Sequence, residues 1–92
     1  MPIKVLIIED ELALQQTLKL NLELENYKVD TCSSGGDAIS VIKNFSPDLI
    51  LLDIMLPGED GISILGKLRK KSATRDLPII MMTAKGTEYD KV

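Results

Sequence analysis

The sequence predicts an α/β domain built on a parallel, doubly wound sheet, and three observations carry that expectation. Short and almost continuously apolar runs recur along the chain, at Val5 to Ile8, Leu49 to Leu52 and Ile79 to Met82. They are too short for helices and lack the two-residue alternation of a half-solvated strand, which suits strands covered on both faces. Stretches with apolar residues at three-to-four-residue spacing lie between them. Two of the runs end directly in acids and the third in a hydroxyl, at the strand edge where open α/β sheets bind their ligands.

Taken in order, residues 3–8 form the first strand, β-branched and almost continuously apolar apart from Lys4 near its start. Residues 12–25 follow with a divided signal. Leu18, Leu20, Leu22 and Leu24 alternate with polar residues as in a strand, yet Leu14, Leu18 and Leu22 recur at four-residue spacing and β-branched residues are nearly absent. Good helix formers and the acids Glu9, Asp10 and Glu11 at the N-terminal end decide for a helix, with Asn26 as its stop. Residues 27–32 alternate in polarity and predict a strand nearer the sheet edge. Ser33 to Asp37 read as a turn in which Ser34 caps the next helix with Asp37 at its third position, and Ala38, Ile39, Val41, Ile42 and Phe45 supply the apolar face.

Ser46-Pro47 ends that helix and leads into the third strand, residues 49–52, which delivers Asp53 to a loop opened by Pro57 and Gly58. After Gly61, the spacing of Ile62, Ile64, Leu65 and Leu68 predicts a third helix, with Lys67, Arg69, Lys70 and Lys71 at the end where cations are favoured. Residues 72–77 are a polar loop. Residues 78–82 form a fourth buried strand ending at Thr83, and Lys85 to Glu88 turn towards another helix. The order is β-α-β-α-β-α-β, and right-handed crossovers place helices on both faces of one sheet.

Composition narrows the function. A chain of 92 residues, 45% hydrophobic and 27% charged, fits one small globular domain. Its net charge of -3 gives no electrostatic footprint for nucleic acid. No signal peptide is read at the start, and no apolar run approaches the roughly 20 residues that cross a bilayer, so a cytoplasmic location without membrane contact is the expectation. The single cysteine, Cys32, reads as a buried thiol. Histidine is absent, which removes histidine-based nucleophilic systems and imidazole metal sites.

Carboxylates remain. All the parallel strands open on one edge, so Glu9, Asp10 and Asp53 converge there if the first and third strands are neighbours. Two carboxylates about 4 Å apart repel by roughly 4 kcal/mol at an effective dielectric of 20, and three of them call for a cation. Mg2+ fits best, because it takes oxygen ligands and the chain offers no soft set for zinc. Singly, Asp53 reads equally as a turn-starting residue, Glu9 to Glu11 as acids at a helix start, and Thr83 as a strand end.

Glu9-Asp10 after the first strand, Asp53 within Leu-Leu-Asp-Ile-Met-Leu-Pro-Gly-Glu-Asp-Gly, and Thr83-Ala84 after Pro-Ile-Ile-Met-Met together resemble the receiver domain of bacterial two-component response regulators, over residues 3–92. The resemblance implies a flavodoxin-like (CheY-like) sheet of order 2-1-3-4. It implies that Asp53 accepts a phosphoryl group from a histidine of a sensor histidine kinase. Glu9, Asp10, Asp53 and the backbone carbonyl of Met55 then hold Mg2+, and the Thr83 hydroxyl senses the phosphoryl group. The Pro-Gly-x-Asp-Gly run looks most like regulators with a C-terminal winged-helix domain, so DNA would be reached only through an output domain outside these residues.

The family pattern also includes a fifth strand, a lysine after it and a fifth helix, which residues 1–92 do not supply; Lys85 follows the fourth strand and is not that lysine. The expectation is therefore a receiver domain that stops in its fourth helix. An uncovered fourth strand would invite a homodimer or a swapped oligomer. The competing function is a fragment that only binds or dimerises, without turnover. An FMN-binding domain of the same architecture is rejected, because Glu9-Asp10-Glu11 would repel the flavin phosphate.

Overall fold

Leu6 and Ile8 point to one side of their strand and Val5 and Ile7 to the other, and all four are fully buried, so both faces of this strand are covered. In the computed structural model, which describes residues 2–54, 61–72 and 74–82, this strand is β1 (Lys4–Ile8). It is followed by α1 (Leu12–Leu24), β2 (Lys28–Cys32), α2 (Gly35–Phe45), β3 (Leu49–Asp53), α3 (Gly61–Lys70) and β4 (Ile79–Met82). The described strands form one sheet of order β2-β1-β3-β4, every pair parallel. The predicted architecture and strand order are both observed.

One core lies between the sheet and the helices α2 and α3. Leu6, Ile8, Cys32, Ile50 and Leu52 from the strands meet Ala38 and Ile42 of α2 and Ile64 and Leu68 of α3. The opposite face of β1 and β2 carries α1. Coverage is unequal. Ile50 and Leu52 of β3 are fully buried, whereas Leu49 and Leu51, facing the other way, are half-buried. The expectation of complete burial holds for one face of β3 only. β4 departs further from the expected buried strand: Ile79 and Met81 pack on the core, but Ile80 on the opposite face is 51% exposed.

Helix ends follow local chemistry. Asn26, the expected stop of α1, adopts the left-handed conformation with φ 72°. Its N–H donates to the Glu23 carbonyl at 3.0 Å and the Tyr27 N–H donates to Leu22 at 3.1 Å, the paired closure that satisfies the last carbonyls of a helix. At the other end, Glu11 is the N-cap and the first turn carries no acid. The expected acid-dipole support of α1 is thus weaker than the sequence implies, because Glu9 and Asp10 serve the strand edge.

The start of α2 is also corrected. Gly35, Gly36 and Asp37 are its first turn rather than a preceding turn, a place where helical N–H groups lack partners in any case and glycine costs little. Ser34 occupies the N-cap position, but its hydroxyl meets the Asp37 carboxylate at 3.3 Å instead of a backbone N–H. The loop between α3 and β4 is tied by Arg69, whose Nη1 donates to the carbonyls of Arg75 and Leu77, both at 2.7 Å. No helix among the described residues is long and apolar enough to cross a membrane. The expected turn at Pro57-Gly58 and the turn from Lys85 lie outside the described residues.

Candidate functional site

The register of β1 against β3 assembles the site. Ile8 pairs with Leu52, so the residues that follow, Glu9 and Asp53, stand side by side at the carboxyl edge of two adjacent central strands. Both are fully buried and Asp10 is partly so. Glu9, Asp10 and Asp53 each offer a carboxylate oxygen within 4.8 Å of the others. Three of the sequence-predicted site residues are therefore brought together. Met55 and Thr83, the other two, lie outside the described residues.

Backbone hydrogen bonds hold the acids from several directions. The Glu9 N–H donates to the Cys32 carbonyl at 2.9 Å, linking the end of β1 to the end of β2. Its Oε2 accepts from the Glu11 N–H at 2.9 Å. Asp53 pairs in register with Met82 of β4, and the next residue, Ile54, donates its N–H to the Met82 carbonyl at 2.9 Å. The Ile54 carbonyl then accepts from the Gly61 N–H at 2.7 Å, so α3 begins directly behind Asp53. Gly61 has to be glycine for reasons of space. A Cβ there would collide with the Asp53 carbonyl oxygen and lie 2.7 Å from the Ile54 Cα.

Two charges no more than 4.8 Å apart repel by roughly 3.5 kcal/mol or more at an effective dielectric of about 20. A set of three carboxylates with nothing but oxygen donors suits a small hard divalent cation, and no thiolate or imidazole stands among them to favour a softer one. Residues present and ion class fit. Next to the site, burial pushes the Cys32 thiol above its ordinary 9.0; Asp37 and Asp30 push the same way, and a backbone hydrogen bond at Ser34 pulls it partly back. The thiol is buried and its Sγ donates to the Ser34 carbonyl at 3.0 Å.

Sequence reasoning missed Gln15. It is the one buried residue of α1 among those described. Its amide donates to the Glu9 carbonyl at 2.8 Å and reaches the Ser33 hydroxyl at 3.4 Å. The signal was present: Gln15, Leu18 and Leu22 share one helical stripe, and a polar residue on a sheet-facing stripe needs a partner.

Known proteins share this fold. Residues 5–92 match the response regulator receiver domain family. The transcriptional regulatory protein ResD of Bacillus subtilis (strain 168) is 45% identical over 89 residues, 97% of this chain and 36% of ResD. The chain thus spans about a third of that relative's length. Among solved structures, a response regulator from Chloroflexus aurantiacus J-10-fl superposes with a TM-score of 0.89 at 34% identity, covering 99% of this chain and 75% of that one. The BeF3-activated receiver domain of RstA from Klebsiella pneumoniae superposes at 0.82 with 31% identity, covering 95% and 72%. With the site at the edge where β1 and β3 end, and the match running through nearly every residue, this chain belongs to the receiver domains of two-component response regulators.

Proposed function

We propose that the chain is a phosphorylatable switch in which Asp53 accepts a phosphoryl group in a Mg2+-dependent reaction, from a histidine of a sensor kinase or from a small phosphodonor. The carrying observation is the convergence of Asp53 with Glu9 and Asp10 at the ends of two adjacent strands. An Asp53 carboxylate oxygen forms the new bond to phosphorus as the bond from phosphorus to the donor atom breaks, giving an acyl phosphate. Glu9, Asp10 and Asp53, with the Met55 backbone carbonyl, would hold Mg2+, which supplies positive charge against the negative charge of the transferring group. The chain's own part is to fix the acceptor: Asp53 ends a buried strand, and Gly61 leaves its backbone room. Thr83 would then bond the phosphoryl group and pass its presence on as a shift between two conformations.

ResD is a transcriptional regulatory protein, which supports a DNA-binding output joined to this receiver and a cytoplasmic place of work. The chain acts as a phosphoacceptor that assists its own reaction rather than as an enzyme with a separate substrate. Incubation with Mg2+ and acetyl phosphate, followed by intact mass measurement, tests the reading. One phosphoryl group should add to the chain, and neither Asp53→Asn nor metal-free wild type should gain it. An unchanged mass in wild type, or a gain that persists in Asp53→Asn, overturns the proposal. The unchanged mass would leave the competing function, a module that only binds.

A further inference from the structure

We infer that Gln15 is a positioning residue for the divalent-ion loop, an inference that rests on the proposed Mg2+ site. The residue is 4% exposed, while every leucine of α1 is half-buried or exposed. An amide buried in such a place is disfavoured unless its hydrogen-bonding groups find partners. Here the side-chain nitrogen donates to the Glu9 carbonyl at 2.8 Å, with the Ser33 hydroxyl at 3.4 Å on its other side.

The accepting oxygen matters. The Glu9 carbonyl belongs to the peptide unit that joins Glu9 to Asp10, and that unit is planar. Holding its oxygen fixes the plane between two of the three carboxylate residues. Two further bonds hold other parts of Glu9: its N–H donates to the Cys32 carbonyl and its Oε2 accepts from the Glu11 N–H. The backbone ladder of α1 starts further along, with the bond from the Gln15 N–H to the Glu11 carbonyl at 2.9 Å. Gln15 thus uses its main chain to start the helix and its side chain to orient the peptide before Asp10. Outer groups that orient metal-binding residues commonly control affinity on the order of 10- to 100-fold.

The test replaces Gln15 by methionine, which keeps the length and removes the donor. Leu18→Ala in the same helix is the control for a loss of stability without loss of the hydrogen bond. Mn2+ binding is followed by electron paramagnetic resonance, with Mg2+ in competition, and the rate of phosphorylation by acetyl phosphate is measured across the Mg2+ range. Gln15→Met should weaken Mg2+ binding on the order of 10-fold, while its rate at saturating Mg2+ stays within about twofold of wild type, as expected when the loop is displaced but the acceptor is intact. Leu18→Ala should bind Mg2+ as wild type does. Equal affinity in Gln15→Met and wild type overturns the inference, as does an equal loss in Leu18→Ala. Should Gln15→Met not fold, as judged by circular dichroism, Gln15→Leu, an equally good helix former with a shorter side chain, makes the same comparison. Wild type that binds neither ion overturns the metal site itself, a result distinct from failure of Gln15.

Discussion

Replacing Gly61 by alanine tests the packing behind Asp53 most directly. The three atoms nearest to the added Cβ are all backbone of the Asp53–Ile54 peptide: the Asp53 carbonyl oxygen in outright collision, the Ile54 Cα at 2.7 Å and the Asp53 carbonyl carbon at 3.1 Å. None of these can swing aside as the end of a side chain would. Restoring ordinary contact distances means moving the start of α3 away from β3 by several tenths of an ångström or more. That movement stretches the 2.7 Å bond from the Gly61 N–H to the Ile54 carbonyl. Overpacking of this kind costs about 1–3 kcal/mol. In a domain of this size each kcal/mol lowers the melting temperature by roughly 4–8 °C, so Gly61→Ala should melt on the order of 10 °C below wild type and take up phosphoryl groups more slowly at saturating Mg2+. Gly66 is the internal control, since a Cβ there meets nothing within 4 Å. Gly66→Ala should gain about 0.5–1 kcal/mol from helix propensity alone. A Gly61→Ala protein that melts and reacts like wild type would refute the close approach of α3 to Asp53.

Removing the Arg69 fork should loosen the loop before β4. Arg69→Ala loses two 2.7 Å bonds, about 1–2 kcal/mol after allowance for solvent at this exposed side chain, and hydrogen exchange should quicken at residues 74–79; unchanged exchange there would sink the argument. Cys32 should resist iodoacetamide at pH 8 in the folded chain and react readily in urea, and equal rates would show that it is not shielded. Because folding raises its pKa above 9.0, the neutral thiol contributes stability in full below pH 9 that is lost as pH rises through the folded value. Wild type should therefore lose stability faster than Cys32→Ala above pH 9 in urea titrations, and parallel curves would contradict this. Asp53→Asn removes one charge of the trio, so in metal-free buffer it should melt above wild type and gain less from added Mg2+; a lower melting temperature would show that the repulsion is already offset.

The central layers of the molecule were legible because two independent features coincided. The apolar runs of β1 and β3 and the acids at their ends marked both the strands and the site. What the sequence concealed was which face each residue served. Leu49 and Leu51 are as apolar as Ile50 and Leu52, yet only the latter pair is fully buried, since burial depends on the helix packed above and not on the strand's own composition. Ser34 was read as a cap from its type and spacing, but its hydroxyl faces a neighbouring carboxylate, a choice made by rotamer and not by sequence. Gly35 and Gly36 looked like a turn because glycine breaks helices in their interior, whereas the first turn tolerates it. Gln15 was passed over as an ordinary helix former. Its role arises only when α1 lies against the end of β1.

The placement of the acids explains why this architecture can hold them at all. Like charges within 4.8 Å of one another would drive a pair of flexible loops apart, because roughly 3.5 kcal/mol or more per pair at an effective dielectric of about 20 exceeds what most single loop contacts return. Here Asp53 is the last residue of a strand, and Glu9 follows another directly, so separating them means breaking the β1–β3 ladder that starts at Val5 and Leu49. That ladder is backed by the core of Leu6, Ile8, Ile50 and Leu52. The hydrophobic core therefore holds three carboxylate oxygens within 4.8 Å of one another, an arrangement that could hold a metal ion.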